Sequence, residues 1–413
     1  MNTHLFDRLD AWVDQHFNEE VEFLQALVRV PTDTPPGNNA PHAERTAALL
    51  AAMGLVAEAD PVPAAEAGAQ GLQSITNLIV RRRWADGGPT IALNAHGDVV
   101  PPGEGWSRAP YGGEIVDGQL YGRAAAVSKS DFATYTFALR ALEALDVPLA
   151  GAVELHFTYD EEFGGQLGPG RLLERGLSRP DLLIAAGFSY QVVTAHNGCL
   201  QLEVLLHGRS AHAGFPDTGV DALRAANTLL TAFYAHADGP LKQQRSQVPG
   251  IAHPTLVVGR IDGGTNTNVV PGVVGLKLDR RLIPEEDPVA VEAGLRDLIE
   301  STLAPLAGIR VEVKRLLLAR PLRPLAGNAD LVAAIQRHGE LVFGVPIPAG
   351  GSPLYTDARL YGEHGIPAVI YGAGPRTVLE ANAKRADEHV ALADLRRATQ
   401  VVARTLLELL TPR

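Results

Sequence analysis

The residues of this chain best equipped for chemistry lie in two short runs, His96-Gly97-Asp98 and Asp160-Glu161-Glu162. An imidazole with a carboxylate two residues on can bind a metal or move a proton, while the carboxylate fixes its tautomer and orientation. Three successive carboxyls repel one another, so they are costly unless solvated, protonated or faced by positive charge. Each run alone has a plainer reading: a structural histidine at a strand end, or a solvated acidic turn. Position gives them weight. Both follow apolar, β-branched runs, and in open α/β sheets ligands gather at the carboxyl ends of the strands.

The elements that must position them read as an α/β core. Stretches 77–80, 90–94, 152–158, 182–186 and 368–371 have the composition of buried strands in a largely parallel sheet, with helical stretches between them. An amphipathic helix is expected from Leu5 through Leu27, closed by Pro31. Between about Gly198 and Leu317 the order changes to β-α-β-β-α-β, with strands from Leu200, Thr255, Val273 and Ile309 and helices from Val220 and Val289. That string is the pattern of a small ferredoxin-like α+β sandwich. The expected organisation is therefore a first core segment at 1–197, an inserted domain at 198–317 and a second core segment at 318–413.

Bulk properties narrow the function. With 413 residues and 46% hydrophobic content the chain has room for two domains. A net charge of -11, from 36 basic and 47 acidic residues, argues against a surface that neutralises phosphates, so no nucleic-acid partner is expected. No stretch reaches the roughly 20 apolar residues of a bilayer span, and Met1 to Asp7 lacks the basic-then-apolar pattern of a leader. A cytoplasmic protein without a membrane partner is the expectation. The single cysteine, Cys199, excludes an intrachain disulfide and a cysteine-rich zinc site, and reads as a core thiol. The charge runs Arg81-Arg82-Arg83 and Pro284-Glu285-Glu286-Asp287 read as solvated loop edges.

Further motifs follow in a telling order. After His96-Gly97-Asp98, Gly122-Arg123 and Asp160-Glu161-Glu162 come Ser210-Ala211-His212-Ala213 and Asn268-Val269-Val270-Pro271. Asp279-Arg280-Arg281, Thr356-Asp357-Ala358-Arg359 and Gly372-Ala373-Gly374-Pro375 complete the series. Together they resemble the acetylornithine deacetylase, succinyl-diaminopimelate desuccinylase and glutamate carboxypeptidase family of zinc amidohydrolases, over nearly the whole chain. The resemblance implies a zinc-exopeptidase-like core, with the inserted domain serving as lid and dimerisation domain of a homodimer. It also implies hydrolysis of an amide bond in a small carboxylate-bearing substrate, an N-acyl amino acid or dipeptide-like molecule.

In that family two zinc ions share a bridging aspartate. Carried over position by position, the resemblance implies His96 and Glu162 as metal ligands, Asp98 as the group orienting His96, and Glu161 as general base. It implies His212 as an oxyanion donor, with Asn268 and Arg281 holding the substrate carboxylate, a task that suits the paired donors of a guanidinium. Gly350, Gly351 and Gly374 are expected where backbone approaches the substrate.

Three positions break the pattern. Val127 stands at the bridging aspartate, Ala186 (or a neighbour, by an offset of one) at an acidic ligand, and Asn382 at the C-terminal histidine. Hydrocarbons bind no metal, and an amide is a poor zinc ligand. A two-zinc centre is therefore not expected. One divalent ion, zinc, manganese or cobalt, would need a further donor from Asp98, Asn382, Asp131, His196 or His389; otherwise the pocket works without metal. Hydrolysis with Glu161 as base leads the expectations. The alternatives are a metal-independent acid/base enzyme (isomerase, lyase or amide-forming) in which Glu161 and Glu162 share a proton, and a non-catalytic carboxylate-binding homologue.

Overall fold

A computed structural model describes residues 3–412, so Met1 and Asn2 of the opening stretch lie outside the described residues. The chain forms two compact units. One comprises residues up to Thr194, Pro324–Gly350 and those from Thr356 onward; the other comprises Ala195–Arg323 with Gly351–Tyr355.

The first unit is built on a mixed sheet of eight strands whose middle four run parallel: Ala150–Thr158, Ala85–His96, Leu182–Ala185 and Ala368–Ile370. Strands covered on both faces must be apolar nearly throughout, and every residue of Ala150–Thr158 is buried. The expected parallel arrangement needs one correction. Thr76–Arg83, which contains residues 77–80, runs antiparallel to Ala150–Thr158. Only Trp84 separates it from Ala85–His96, and so short a link cannot make the crossover that parallel strands require.

Helix Thr3–Val28 follows the expected apolar spacing and lays Leu9, Val13, Leu24 and Leu27 into the core against helices Lys129–Leu145 and Leu392–Leu410. In each of the two charge runs one residue departs from expectation, while Arg82, Arg83, Glu285 and Asp287 are exposed. Arg81 lies within a strand and pairs with Glu154 at 3.1 Å, while Glu286 is buried against Arg280 at 2.5 Å. Arg280–Glu286 is an internal ion pair, its side chains 3% and 7% exposed, whereas Arg81 is half-buried at the sheet face and also meets the exposed Glu58.

In the second unit the β-α-β-β-α-β order yields a four-stranded antiparallel sheet, Thr255–Gly263, Val273–Leu282, Gly198–His207 and Arg310–Ala319 in spatial order. Leu200, Leu202, Val204 and Leu206 alternate along one strand and join Leu229, Phe233, Leu295 and Ile299 of the two helices in a separate core. Asp221 and Asp287 cap those helices, accepting N–H bonds from Leu223 and Val289 at 2.9 and 3.1 Å. Cys199 is buried, and its Sγ donates to Asp279 at 3.5 Å. Among the described residues no helix is long and apolar enough to cross a membrane.

One buried group makes the helical layer sensitive to pH. Glu20 is fully buried and receives the Thr399 hydroxyl at 2.5 Å. Burial pushes its pKa up to about 8, against the smaller pull of that hydrogen bond. The folded state therefore keeps a proton that the unfolded chain releases from pH 4.5 upward, and stability present below that pH is lost as pH rises through 8. Glu20→Gln, which stays neutral, is expected to gain stability relative to the unaltered chain between pH 5 and pH 8, by a few kcal/mol at most. Denaturant unfolding at both pH values checks this; an unchanged difference would remove the basis for it.

Candidate active site

Strand register brings the two reactive runs together. Ala85–His96 and Ala150–Thr158 pair in parallel with His96 opposite Thr158, so both runs leave the sheet side by side at its carboxyl edge. Beyond Thr158 the chain enters a 3₁₀ turn at Glu161–Phe163. The buried Asp98 carboxylate accepts the Glu161 N–H at 3.3 Å and the Glu162 N–H at 3.0 Å, satisfying donors that a helical turn leaves open at its start.

Asp98 also holds the imidazole. His96 Nδ1 lies 3.0 Å from the Asp98 carbonyl oxygen and 3.3 Å from its Oδ1, which leaves Nε2 toward Glu161 Oε2 at 3.8 Å. Burial disfavours charge on the ring, but Glu161, Asp98 and Glu162 outweigh it and push the pKa up to about 10. The surrounding carboxylates thus favour the protonated ring. Ser128 fastens the same strand end, its hydroxyl donating to His96 O at 2.8 Å and accepting from His96 N at 3.0 Å. The segment carrying Val127 is thereby pinned beside the imidazole.

The residue that meets Glu162 from the C-terminal segment is Lys384, whose Nζ donates to Oε2 at 2.7 Å. This corrects the expectation for Asn382. The backbone turns left-handed at Asn382 (φ 50°) and again at Lys384 (φ 61°), and the turn delivers the side chain two positions further on. Glu388 secures that loop: Oε2 accepts from Arg123 Nη1 at 2.6 Å and from Lys384 N at 3.3 Å, and Oε1 from Ala126 N at 3.3 Å. Nothing in the spacing of a lone lysine within a polar loop marked it in advance.

Carboxyls outnumber cations here. Burial, then repulsion from Glu161, pushes Glu162 up to about 7 despite Lys384 and His96. Burial likewise raises Asp131 to about 8 and Asp160 to about 7, and holds Asp357 well above the usual carboxylate range.

The donors do not fit a pair of metal ions. Val127 has no ligating atom. Ala186 has none either, and a Cβ on the next residue, Gly187, would stand 2.1 Å from Ile370 Cγ2. Asp98 is engaged with the turn, and Asp131 Oδ1 accepts the Ala373 N–H at 2.7 Å. His389 Nδ1 lies 2.8 Å from Asp387 O, and His196 Nδ1 lies 2.8 Å from Asn197 O, bonds that orient each ring without removing it as a donor. Among the described residues no group of three or more His, Cys, Asp or Glu is arranged to hold a metal.

In the second unit His212 and Asn268 meet on a two-stranded ribbon in which His212 pairs with Val269 and Asn268 O accepts the Ala213 N–H at 2.9 Å. The Gly214 N–H donates to His212 Nδ1 at 3.0 Å, so the neutral ring carries its proton on Nε2. Arg281 is paired with Asp279 at 2.7 Å and lies over the Tyr355 ring. Two of the expected substrate-facing glycines sit at close approaches. A Cβ on Gly351 would meet Ile251 and Val248 at 2.7 Å, and one on Gly374 would meet Gly187 O at 2.6 Å. Gly350 O receives the Thr194 hydroxyl at 3.4 Å.

A mixed sheet with an imidazole and paired glutamates at its strand ends, interrupted by an antiparallel α+β unit, defines a zinc-exopeptidase-like fold. The signature described as peptidase family M20/M25/M40 matches residues 92–408, and the chain belongs to that family, a hydrolase of amide bonds. Succinyl-diaminopimelate desuccinylase of Rhodospirillum centenum is 27% identical over 403 residues, 94% of this chain and 97% of that protein. Acetylornithine deacetylase of Myxococcus xanthus is 28% identical over 341 residues, covering 81% and 84%. The crystal structure of an M20 family metallo-carboxypeptidase, Sso-CP2 from Sulfolobus solfataricus, matches with a TM-score of 0.76 at 18% identity, covering 94% and 98%, a likeness of fold. The family is metal-dependent, which sets the altered donors of this chain apart.

Because Arg123 and Glu388 are each only 2% exposed, removing one partner strands the other charge. Arg123→Met is expected to cost about 3–5 kcal/mol, read by denaturant unfolding; a loss within about 0.5 kcal/mol, the usual range for surface changes, would show that the pair does not secure the loop.

Proposed function

We propose that the protein hydrolyses the amide bond of a small carboxylate-bearing substrate, an N-acyl amino acid or dipeptide-like molecule, with Glu161 taking the proton of the attacking water and with at most one metal ion. The placement of Glu161 carries this reading. Asp98 holds its backbone, yet its Oε2 stands 3.8 Å from His96 Nε2, beyond hydrogen-bond distance, so the imidazole does not take up that oxygen's capacity to accept a proton. As water yields its proton and attacks, negative charge grows on the carbonyl oxygen, and positive groups aimed at that oxygen lower the barrier. The names of the two relatives, a desuccinylase and a deacetylase, support an acyl group carried on an amine. The second unit supplies groups suited to anionic oxygen: Nε2–H of His212 for an oxyanion, Asn268 and Arg281 for a carboxylate. A homodimer formed through that unit belongs to the same reading.

The test uses protein purified without a metal-affinity tag, assayed on N-succinyl and N-acetyl amino acids alongside elemental analysis. Turnover is expected with no more than one ion per chain, falling about 10²–10⁴-fold in Glu161→Gln without a change in melting temperature. Two bound ions per chain would refute the metal count, and an undiminished Glu161→Gln would refute the base. Binding of such ligands without turnover would mark a carboxylate-binding relative instead.

A further inference from the structure

Resting on that reading, we propose that the Lys384 ammonium is the resident cation of Glu162, occupying the place beside that carboxylate where the family's metal ion would lie. Lys384 then acts as a positioning group that holds the Glu162 side chain through a charge-assisted hydrogen bond and offers a positive charge to the reacting carbonyl.

Three observations on different parts of the chain converge on this. The first is contact: Nζ sits 2.7 Å from Oε2 of a glutamate whose side chain is 10% exposed, a charge-assisted hydrogen bond of the strong kind. Zinc bonds oxygen at ~2.0–2.2 Å, so an ion on the same oxygen would lie within a few ångströms of the ammonium, and two cations that close repel strongly. The second is backbone: Lys384 holds a left-handed conformation (φ 61°) with its N–H on Glu388. A lysine keeps that disfavoured geometry only where its surroundings over-determine it, and here the Arg123–Glu388 pair ties the loop to the segment bearing Val127.

The third is charge. Relative to the family pattern, Val127 and Ala186 each remove a carboxylate, while Lys384 adds a cation that faces Glu161, Glu162 and Asp98. All three changes run in the direction that the loss of positive ions demands. Simple decay of a metal site would leave the remaining glutamates facing one another unpaired. An ammonium has three donors, of which one is given to Glu162. With 53% of its side chain exposed, Lys384 can direct another to a substrate oxygen as charge builds there.

The deciding experiment combines zinc titration by calorimetry with kinetics on N-acyl amino acids. The unaltered chain is expected to take up no zinc stoichiometrically, whereas the double variant Val127→Asp with Lys384→His regains two donors and binds zinc more than about 100-fold tighter. Lys384→Ala is expected to lower kcat by about 10²–10³-fold with little change in KM, and Lys384→Arg to recover part of that loss, a pattern that a merely structural lysine would not give. Sub-micromolar zinc binding by the unaltered chain, left untouched in Lys384→Ala, would overturn the proposal. So would equal kcat in the two lysine variants and the unaltered chain. Should no N-acyl amino acid be turned over, the hydrolytic reading fails, and the zinc titrations alone still decide the role of the lysine.

Discussion

Parallel pairing in one particular register is the constraint on which this site rests. Because His96 closes its strand opposite Thr158, an imidazole and a run of three carboxyls emerge at one edge with no freedom to drift apart. Four apolar strands hold that edge through backbone hydrogen bonds, so the geometry is set by the sheet rather than by the reactive side chains. Those side chains are thereby released to be chosen for chemistry.

Asp98 turns proximity into arrangement. Its main-chain oxygen and its carboxylate both lie near the imidazole, and the same carboxylate collects the first two N–H groups of the acidic turn. The cost of burying a carboxylate is offset by these bonds. Around it the imidazole of His96 and the ammonium of Lys384 face an excess of acidic groups.

Much of this was legible in the sequence, and the reasons differ by element. Strands such as 90–94 and 152–158 announce themselves by composition, since burial on both faces leaves little choice of residue. The strands and helices of the second unit follow an alternating pattern, and the unit spans Ala195–Arg323 with Gly351–Tyr355 where 198–317 was expected; a short return segment has no periodicity to read. The reversal at Trp84 was missed because strand direction depends on pairing, which composition does not encode. Arg81 reads as a surface charge because its partner Glu154 lies far along the chain, and Glu286 because nothing in its short acidic run tells which carboxylate turns in toward Arg280. Lys384 was hidden for a related reason: which side chain of a polar loop reaches Glu162 is decided by two left-handed residues, and neither Asn382 nor Lys384 is of a type that demands such a turn.

The reciprocal bonds between Ser128 and the main chain of His96 have a further consequence. They anchor the crossing segment through a hydroxyl and two peptide groups, independent of what the adjoining residue at 127 carries. Support and function are thus assigned to neighbouring positions, so a ligand there can be exchanged for a hydrocarbon while the imidazole keeps its bearing. A scaffold divided in this way can explore new reactivity one side chain at a time.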